Sequence, residues 1–305
     1  MTAAILTEPY AGLRAQARGL AEAAGLAPAE RTIVARGPWR RLPPEWWPWP
    51  LAAIEPEAVA NPLPDVLIGC GGKAAAVLSA LRGTRRVIVQ HPRRPIAKFD
   101  LVVAARHDDL HGPNVLVTRT AIHTVTPARL AEAAVTWQPR LAHLPRPLVS
   151  VLVGGSNGRF RLGAAEGATL TLGLRQLLDA GAGLAITPSR RTDPAVVARL
   201  AALDPARAWL WDGAGDNPYL GLLACADLIV VTGDSVSMVS EAVATTVPVL
   251  VAALPGRSRR IGRFVAGLMA DGRVRPFRGR LEMWDVSPID DTPWAAAEMR
   301  RRLGF

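Results

Sequence analysis

Cysteine is almost absent. The 305-residue chain has two, Cys70 and Cys225, and neither belongs to a Cys-x-x-Cys pair, which excludes a disulfide framework and a cysteine-based zinc site. Lysine is nearly missing too: Lys73 and Lys98 are the only two among 36 basic residues. No histidine follows His143. Long apolar runs are also lacking. The most apolar stretches, 222–231 and 242–254, are interrupted by Asp227 and Pro248 and fall short of the ~20 residues that a membrane-spanning helix needs. The opening residues 1–8 carry no basic segment and too short an apolar stretch for a signal peptide. A cytoplasmic protein without a transmembrane anchor is the expectation.

What the chain does have is apolar bulk and positive charge. Half of its residues are hydrophobic and the formal net charge is +10, so a globular fold is expected and disorder is not. The charge permits attraction to nucleic acid, anionic lipid or phosphorylated ligands without choosing among them. Short β-branched runs alternate with alanine-rich segments of helical period, the pattern of βα units on a parallel sheet. Strands are predicted at 3–7, 31–34, 65–69, 86–90, 100–103 and 114–118, and after the proline-broken segment 138–147 at 148–153, 183–187, 207–211, 227–232 and 248–251. The fold class is therefore α/β, with two Rossmann-like domains facing a cleft: residues 1–140 form the first domain and 148–290 the second. A last helix, 291–305, is set apart by Asp285–Asp291 and is expected to pack back on the first domain.

Three motifs fail on inspection. Gly154-Gly-Ser-Asn-Gly158 matches the nucleophile elbow of α/β-hydrolases, but that fold needs a histidine downstream of the serine and none exists. Gly69-Cys-Gly-Gly-Lys-Ala74 fits a dinucleotide fingerprint but lacks the acidic residue about 20 positions on, and Ala74 replaces the Ser or Thr of a phosphate-binding loop. His107-Asp-Asp-Leu-His111 offers four potential metal ligands, yet it lies in a polar turn before Gly112-Pro113, so no metal site is assigned.

The informative block is Asn217-Pro-Tyr219, then Thr232-Gly-Asp-Ser-Val-Ser-Met-Val-Ser-Glu241. It reads as helix, strand, polar turn and helix, with Asp234 and Ser235 at the carboxyl end of a strand, where open α/β sheets bind ligands. Ser235 or Ser237 can cap the following helix and leave its N–H groups facing an anion. Glu241 lies further along the same helix.

Here the chain resembles the donor half of GT-B glycosyltransferases. Together with Phe99-Asp-Leu-Val-Val103, His107-Asp108, Gly154-Gly155 and Thr187-Pro-Ser-Arg-Arg-Thr192, the block is similar to the family named for the plant mitochondrial fission factor "elongated mitochondria". The opening turn, Tyr10-Ala-Gly-Leu-Arg-Ala-Gln16, keeps Gly12 and Gln16 of that family's pattern but not the polar residues between them.

The resemblance implies a nucleotide-sugar-dependent glycosyltransferase acting on a cell-envelope or lipid-linked acceptor, with a nucleotide-sugar epimerase or a non-catalytic scaffold at a membrane as alternatives. The nucleotide sugar would be the substrate and no further cofactor is required. Gly154, Gly155 and Ser156 would approach the diphosphate, with Ser189, Arg190 and Arg191 opposite, since arginine forks neutralise phosphate well. Asn217, Asp234, Ser235 and Ser237 would complete the donor site, and Glu241 would hold a ribose or sugar hydroxyl. Candidates for the base on the other domain are His91, His107 and Asp108.

The segment 36–50 holds four of the nine tryptophans, Trp39, Trp46, Trp47 and Trp49, beside Arg36, Arg40 and Arg41. Its prolines forbid a regular helix or central strand. Tryptophan next to arginine suits a membrane interface, so an anionic membrane surface is an expected partner and peripheral placement on the inner leaflet an expected location, while no nucleic-acid partner is expected. A flap folded over the first domain is the competing explanation for the same rings.

Overall fold

Residues Ala3–Thr7, Val66–Cys70 and Leu101–Ala105 are buried at every position, as strands are when a parallel sheet is covered on both faces. The computed structural model describes residues 1–305, which divide into two units: Met1–Thr124 with Asp290–Phe305, and Val125–Ile289.

The first unit contains β1 (Ala3–Thr7), α1 (Ala11–Ala23), β2 (Ala29–Thr32), β3 (Val66–Cys70), α2 (Gly72–Ala80), β4 (Arg85–Val89), β5 (Leu101–Ala105) and β6 (Val115–Thr118). Its six strands are all parallel, in the order β2-β1-β3-β4-β5-β6. Side chains alternate between two cores. Leu6, Leu67 and Ile88 face one core with Trp47; Ile5, Ile68 and Val87 face the other, as the two-residue period of a strand requires. Ala295, Ala296 and Met299 of the last helix, Thr292–Leu303, join that second core. Asp291 fixes the entry to this helix by accepting from the Arg119 guanidinium at 2.5 Å and from the Arg119 backbone N–H at 2.6 Å.

The second unit runs α3 (Pro127–Leu141), β7 (Leu148–Val153), α4 (Ala164–Asp179), β8 (Gly183–Pro188), α5 (Pro194–Ala201), β9 (Ala208–Leu210), α6 (Tyr219–Cys225), β10 (Leu228–Thr232), α7 (Val236–Val243), β11 (Val249–Ala252), α8 (Arg259–Ala270) and β12 (Val274–Pro276). Its six parallel strands are ordered β12-β11-β10-β7-β8-β9. Arg273, 2% exposed, donates to the carbonyls of Val243 and Thr245. It thereby closes the carboxyl end of α7 with a cation, where the helix dipole favours one.

Two expectations need correction. The proline segment 138–147 does not divide the units. Pro139 lies inside α3, which continues to Leu141, and Trp137 and Leu141 pack with Leu148, Ala185 and Leu222 of the second sheet and its helix. The apolar face of α3 therefore assigns it to the second unit, and the chain passes between units at residues 124–125. The strand expected at 31–34 ends at Thr32 instead, leaving Ile33 in the core and Val34 exposed. The three-residue β12 carries too little pattern to be read from sequence.

Candidate functional site

The chain builds β7, β8 and β9 outward on one side of the second sheet and then returns to place β10 on the other side of β7. That reversal makes a switch point between β7 and β10, and the loops at their carboxyl ends diverge there to form the crevice in which open α/β sheets hold ligands. The loops are Gly154-Gly155-Ser156 after β7 and Gly233-Asp234-Ser235 after β10. Sequence reading placed both in one site, and the topology brings them side by side.

At the centre is the Asp234 carboxylate, whose side chain is fully buried. Its Oδ1 accepts the Thr232 hydroxyl at 2.7 Å, while Oδ2 accepts the Gly155 N–H at 3.3 Å and the Arg191 guanidinium at 3.2 Å. Thr232 Oγ1 in turn accepts the Gly154 N–H at 2.8 Å. The glycines are required by close approach. A Cβ on Gly154 would lie 2.2 Å from Asp234 Oδ1, and one on Gly155 would lie 2.0 Å from the Arg191 carbonyl oxygen. The two N–H groups expected to meet a diphosphate are thus already engaged within the protein.

The neighbouring turns are closed in the same way. Ser156 Oγ accepts the Leu162 N–H at 3.0 Å. Ser189 Oγ lies 3.2 Å from Thr192 Oγ1 and accepts the Arg191 N–H at 3.2 Å, and Thr192 donates to the Gly154 carbonyl. The result is a rigid turn that presents Arg190 and Arg191 outward, both exposed. Three more exposed arginines stand at this edge. The loop after β7 pairs with the one after β11 through Arg161 N–H to the Pro255 carbonyl (2.9 Å) and Arg257 N–H to the Arg159 carbonyl (3.1 Å). Arg159, Arg161 and Arg257 come together across about a hundred residues of chain, a separation at which local pattern carries no signal.

Ser235 is the N-cap of α7, its Oγ accepting the Met238 N–H at 3.3 Å, and Ser237 is half-buried on the first turn. Glu241, half-buried on the same helix, accepts the Tyr219 hydroxyl at 2.5 Å through Oε2. Burial pushes the Glu241 carboxyl up to about 7, against the opposing pull of that hydrogen bond. Burial, then the charge of Glu241, hold the Tyr219 hydroxyl well above its ordinary value. Asn217 Oδ1 accepts the Tyr219 N–H at 3.0 Å and fixes the turn into α6. Tyr219 is the member of this group that sequence reading left out, although it stands in the same Asn-Pro-Tyr block.

Beside these loops a cavity of about 520 Å³ opens between α4 and the carboxyl ends of β11 and β12, with Leu170, Leu254 and Phe277 among its walls.

The base candidates lie in the first unit. His107 and Asp108 have side chains 1% and 2% exposed and lie 3.9 Å apart, so neither reaches solvent. His91 Nδ1 accepts the Arg93 N–H at 2.9 Å, so that nitrogen is engaged within the protein. His107, Asp108, Asp109 and His111 do not converge, since no three carboxylate, thiol or imidazole groups gather into a ligand set. The tryptophans of the 36–50 segment divide. Trp47 is 2% exposed in the core, whereas Trp46 and Trp49 are 71% and 70% exposed. Trp39 is partly buried against the same core.

Two six-stranded parallel sheets of this order define an α/β protein of the GT-B type. The fold is similar to that of UDP-GlcNAc 2-epimerase from Methanocaldococcus jannaschii (TM-score 0.59, 12% identity, covering 99% of both chains). It is also similar to the glycotransferase of kitacinnamycin (0.56, 14%, covering 99% of this chain and 94% of that one). The glycosyltransferase SnogD from Streptomyces nogalater is a third (0.52, 16%, 100% and 95%). The chain belongs to the mitochondrial fission ELM1 family, which it matches over residues 11–303. It is 33% identical over 274 residues to mitochondrial fission protein ELM1 of Arabidopsis thaliana, covering 79% of this chain and 64% of that protein. It is also 25% identical over 273 residues to the uncharacterized protein RP120 of Rickettsia prowazekii (strain Madrid E), covering 75% of this chain and 77% of that one. The chain thus spans just under two thirds of the length of the Arabidopsis relative. No helix is long and apolar enough to cross a membrane.

Proposed function

We propose that the protein is a nucleotide-sugar-dependent glycosyltransferase that binds its donor at the carboxyl edge of the second sheet and acts on a cell-envelope or lipid-linked acceptor. The observation that carries the reading is the switch point between β7 and β10, where a buried Asp234 network braces two loops beneath an exposed arginine rim. Because the Gly154 and Gly155 N–H groups are spent internally, the diphosphate would fall to Arg190 and Arg191 and to the first turn of α7. Guanidinium forks match phosphate oxygens in geometry and charge, and preorganised positive charge stabilises a departing diphosphate without a metal. Glu241 keeps Oε1 for a ribose or sugar hydroxyl while Tyr219 holds Oε2.

A thermal-shift screen against UDP, GDP, CMP and ADP sugars tests this. Stabilisation by one nucleotide class is expected. Replacing Arg190 and Arg191 with alanine should weaken that ligand by about tenfold or more, each charged hydrogen bond being worth ~1.5–3 kcal/mol. Product analysis then separates transfer from epimerisation, which proteins of this fold also perform. No stabilisation by any of the four classes would refute the proposal.

A further inference from the structure

The segment between β2 and β3 has no regular secondary structure beyond short 3-10 turns, Gly37–Arg40, Pro44–Trp46 and Pro56–Val59, yet it is held firmly. Trp47 is driven into the core and its indole N–H donates to the Leu42 carbonyl at 3.3 Å. The Arg36 N–H bonds the Ala53 carbonyl at 2.8 Å, and Ala35 bridges to Ile54. From the loop after β4, Arg94 donates to the Pro44 carbonyl at 2.5 Å and Arg93 pairs with Glu45 at 2.9 Å.

The buried Trp47 acts as a pivot that leaves its neighbours outside. Trp46 and Trp49 are each about 70% exposed, and Leu42, Leu51 and Val34 are exposed near them in the chain. Arg36, Arg40 and Arg41 lie in the same segment; Arg36 faces Glu55 at 3.6 Å, and neither Arg40 nor Arg41 enters an ion pair. Counting the docked Arg93 and Arg94, five arginines stand against three glutamates, Glu45, Glu55 and Glu57.

We propose that this rigid apolar lip, Trp46 and Trp49 with Leu42 and Leu51 among arginines, docks the first unit on the surface of an anionic lipid bilayer. Two features select that partner. Indole rings settle at headgroup depth, where an apolar body and a polar N–H are both satisfied, and arginine beside them is attracted by anionic headgroups. Exposed leucine and valine find nothing to bury against on a nucleic acid, whose bases and phosphates would otherwise suit tryptophan and arginine. A bilayer accepts all three residue types. The inference stands apart from the donor site, which lies in the other unit.

The test is co-sedimentation of the full chain with vesicles of equal parts phosphatidylglycerol and phosphatidylcholine, and of phosphatidylcholine alone, at low and physiological salt. Binding to the anionic vesicles is expected, weakened but not abolished by salt. Trp46→Ser with Trp49→Ser should reduce it at least about tenfold, and Arg40→Glu with Arg41→Glu should reduce it similarly and remove most of its salt dependence. Both pairs are exposed, so an unchanged unfolding temperature confirms that the variants fold. Absence of vesicle binding by the native protein, equal binding to neutral and anionic vesicles, or equal partitioning of the folded tryptophan variant and the native protein would each overturn the proposal. The first of these outcomes would leave a protein partner as the occupant of the lip.

Discussion

Replacing Asp234 with alanine removes the acceptor for three donors at once: the Thr232 hydroxyl, the Gly155 N–H and the Arg191 guanidinium. Thr232 and Gly155 are buried, so each is left with an unsatisfied donor costing ~1–3 kcal/mol. Arg191 is about half exposed and regains water, so its share stays below ~1 kcal/mol. The total is about 2–7 kcal/mol, a span that includes the range for breaking a buried charged pair. In a domain of this size a kcal/mol moves the melting temperature by ~2–4 °C, so Asp234→Ala should lower the unfolding transition of the second unit by about 10 °C in calorimetry of the full chain. Asp234→Asn should cost less. With its carbonyl turned toward Gly155 and Arg191 it keeps those two bonds, but its amide reverses the bond to Thr232, whose hydroxyl proton loses this acceptor, so the variant still loses about 1–3 kcal/mol. Gly154→Ala adds a cross-check, because its Cβ would meet Asp234 Oδ1 at 2.2 Å. Made in the Asp234→Ala background it should cost markedly less than in the native protein, as contacting sites do not add. An alanine variant melting within about 2 °C of native, or an asparagine variant as damaged as the alanine one, would refute the reasoning.

Two further outcomes are expected. With Glu241 raised to about 7 from an unfolded value near 4.5, the folded state binds the extra proton. Its contribution to stability is therefore complete below pH 4.5 and is lost as pH rises toward 7, at no more than ~1.4 kcal/mol per pH unit. Glu241→Gln should flatten that segment of the stability–pH curve, and Tyr219→Phe, which removes the downward pull on the carboxyl, should extend the fall to higher pH; an unchanged curve for both would count against the pairing. Trp47→Ala should cost ~3–5 kcal/mol by denaturant unfolding, as large-to-small core changes do, whereas Trp46→Ala should stay within ~0.5 kcal/mol as a surface change.

Much of the architecture was legible because it rests on local pattern. A strand buried on both faces must be a short β-branched run, so Leu148–Val153 and Ala3–Thr7 were readable to the residue. Capping is also local, and it left Ser235 and Ser237 as the two candidate caps of α7, between which the structure selects Ser235. The grouping of Asp234 with Gly154 and Gly155 came from the resemblance to glycosyltransferases, and the position of each at a strand's carboxyl end agrees with it. What sequence could not supply was which bonds those groups make. The glycine N–H groups looked free for phosphate, and only the arrival of Asp234 and Thr232 from about 80 residues away shows them occupied.

The same limit governs the tryptophans and the α3 helix. Composition marked 36–50 as a segment whose rings needed a separate explanation, and neither a membrane lip nor a core flap could be chosen. Three-dimensional packing chose for each ring: Trp47 fills the first core, while Trp46 and Trp49 remain outside. The prolines of 138–147 looked like a boundary because proline breaks helical pattern, but Trp137 and Leu141 pack against the second sheet, and burial outweighs a local breaker. Sequence alone thus determined the elements, their parallel class and the edge at which a site would form, since these depend on period and spacing along the chain. Tertiary structure alone decided which donors are satisfied and which rings are covered, because each answer depends on atoms brought from far along the chain.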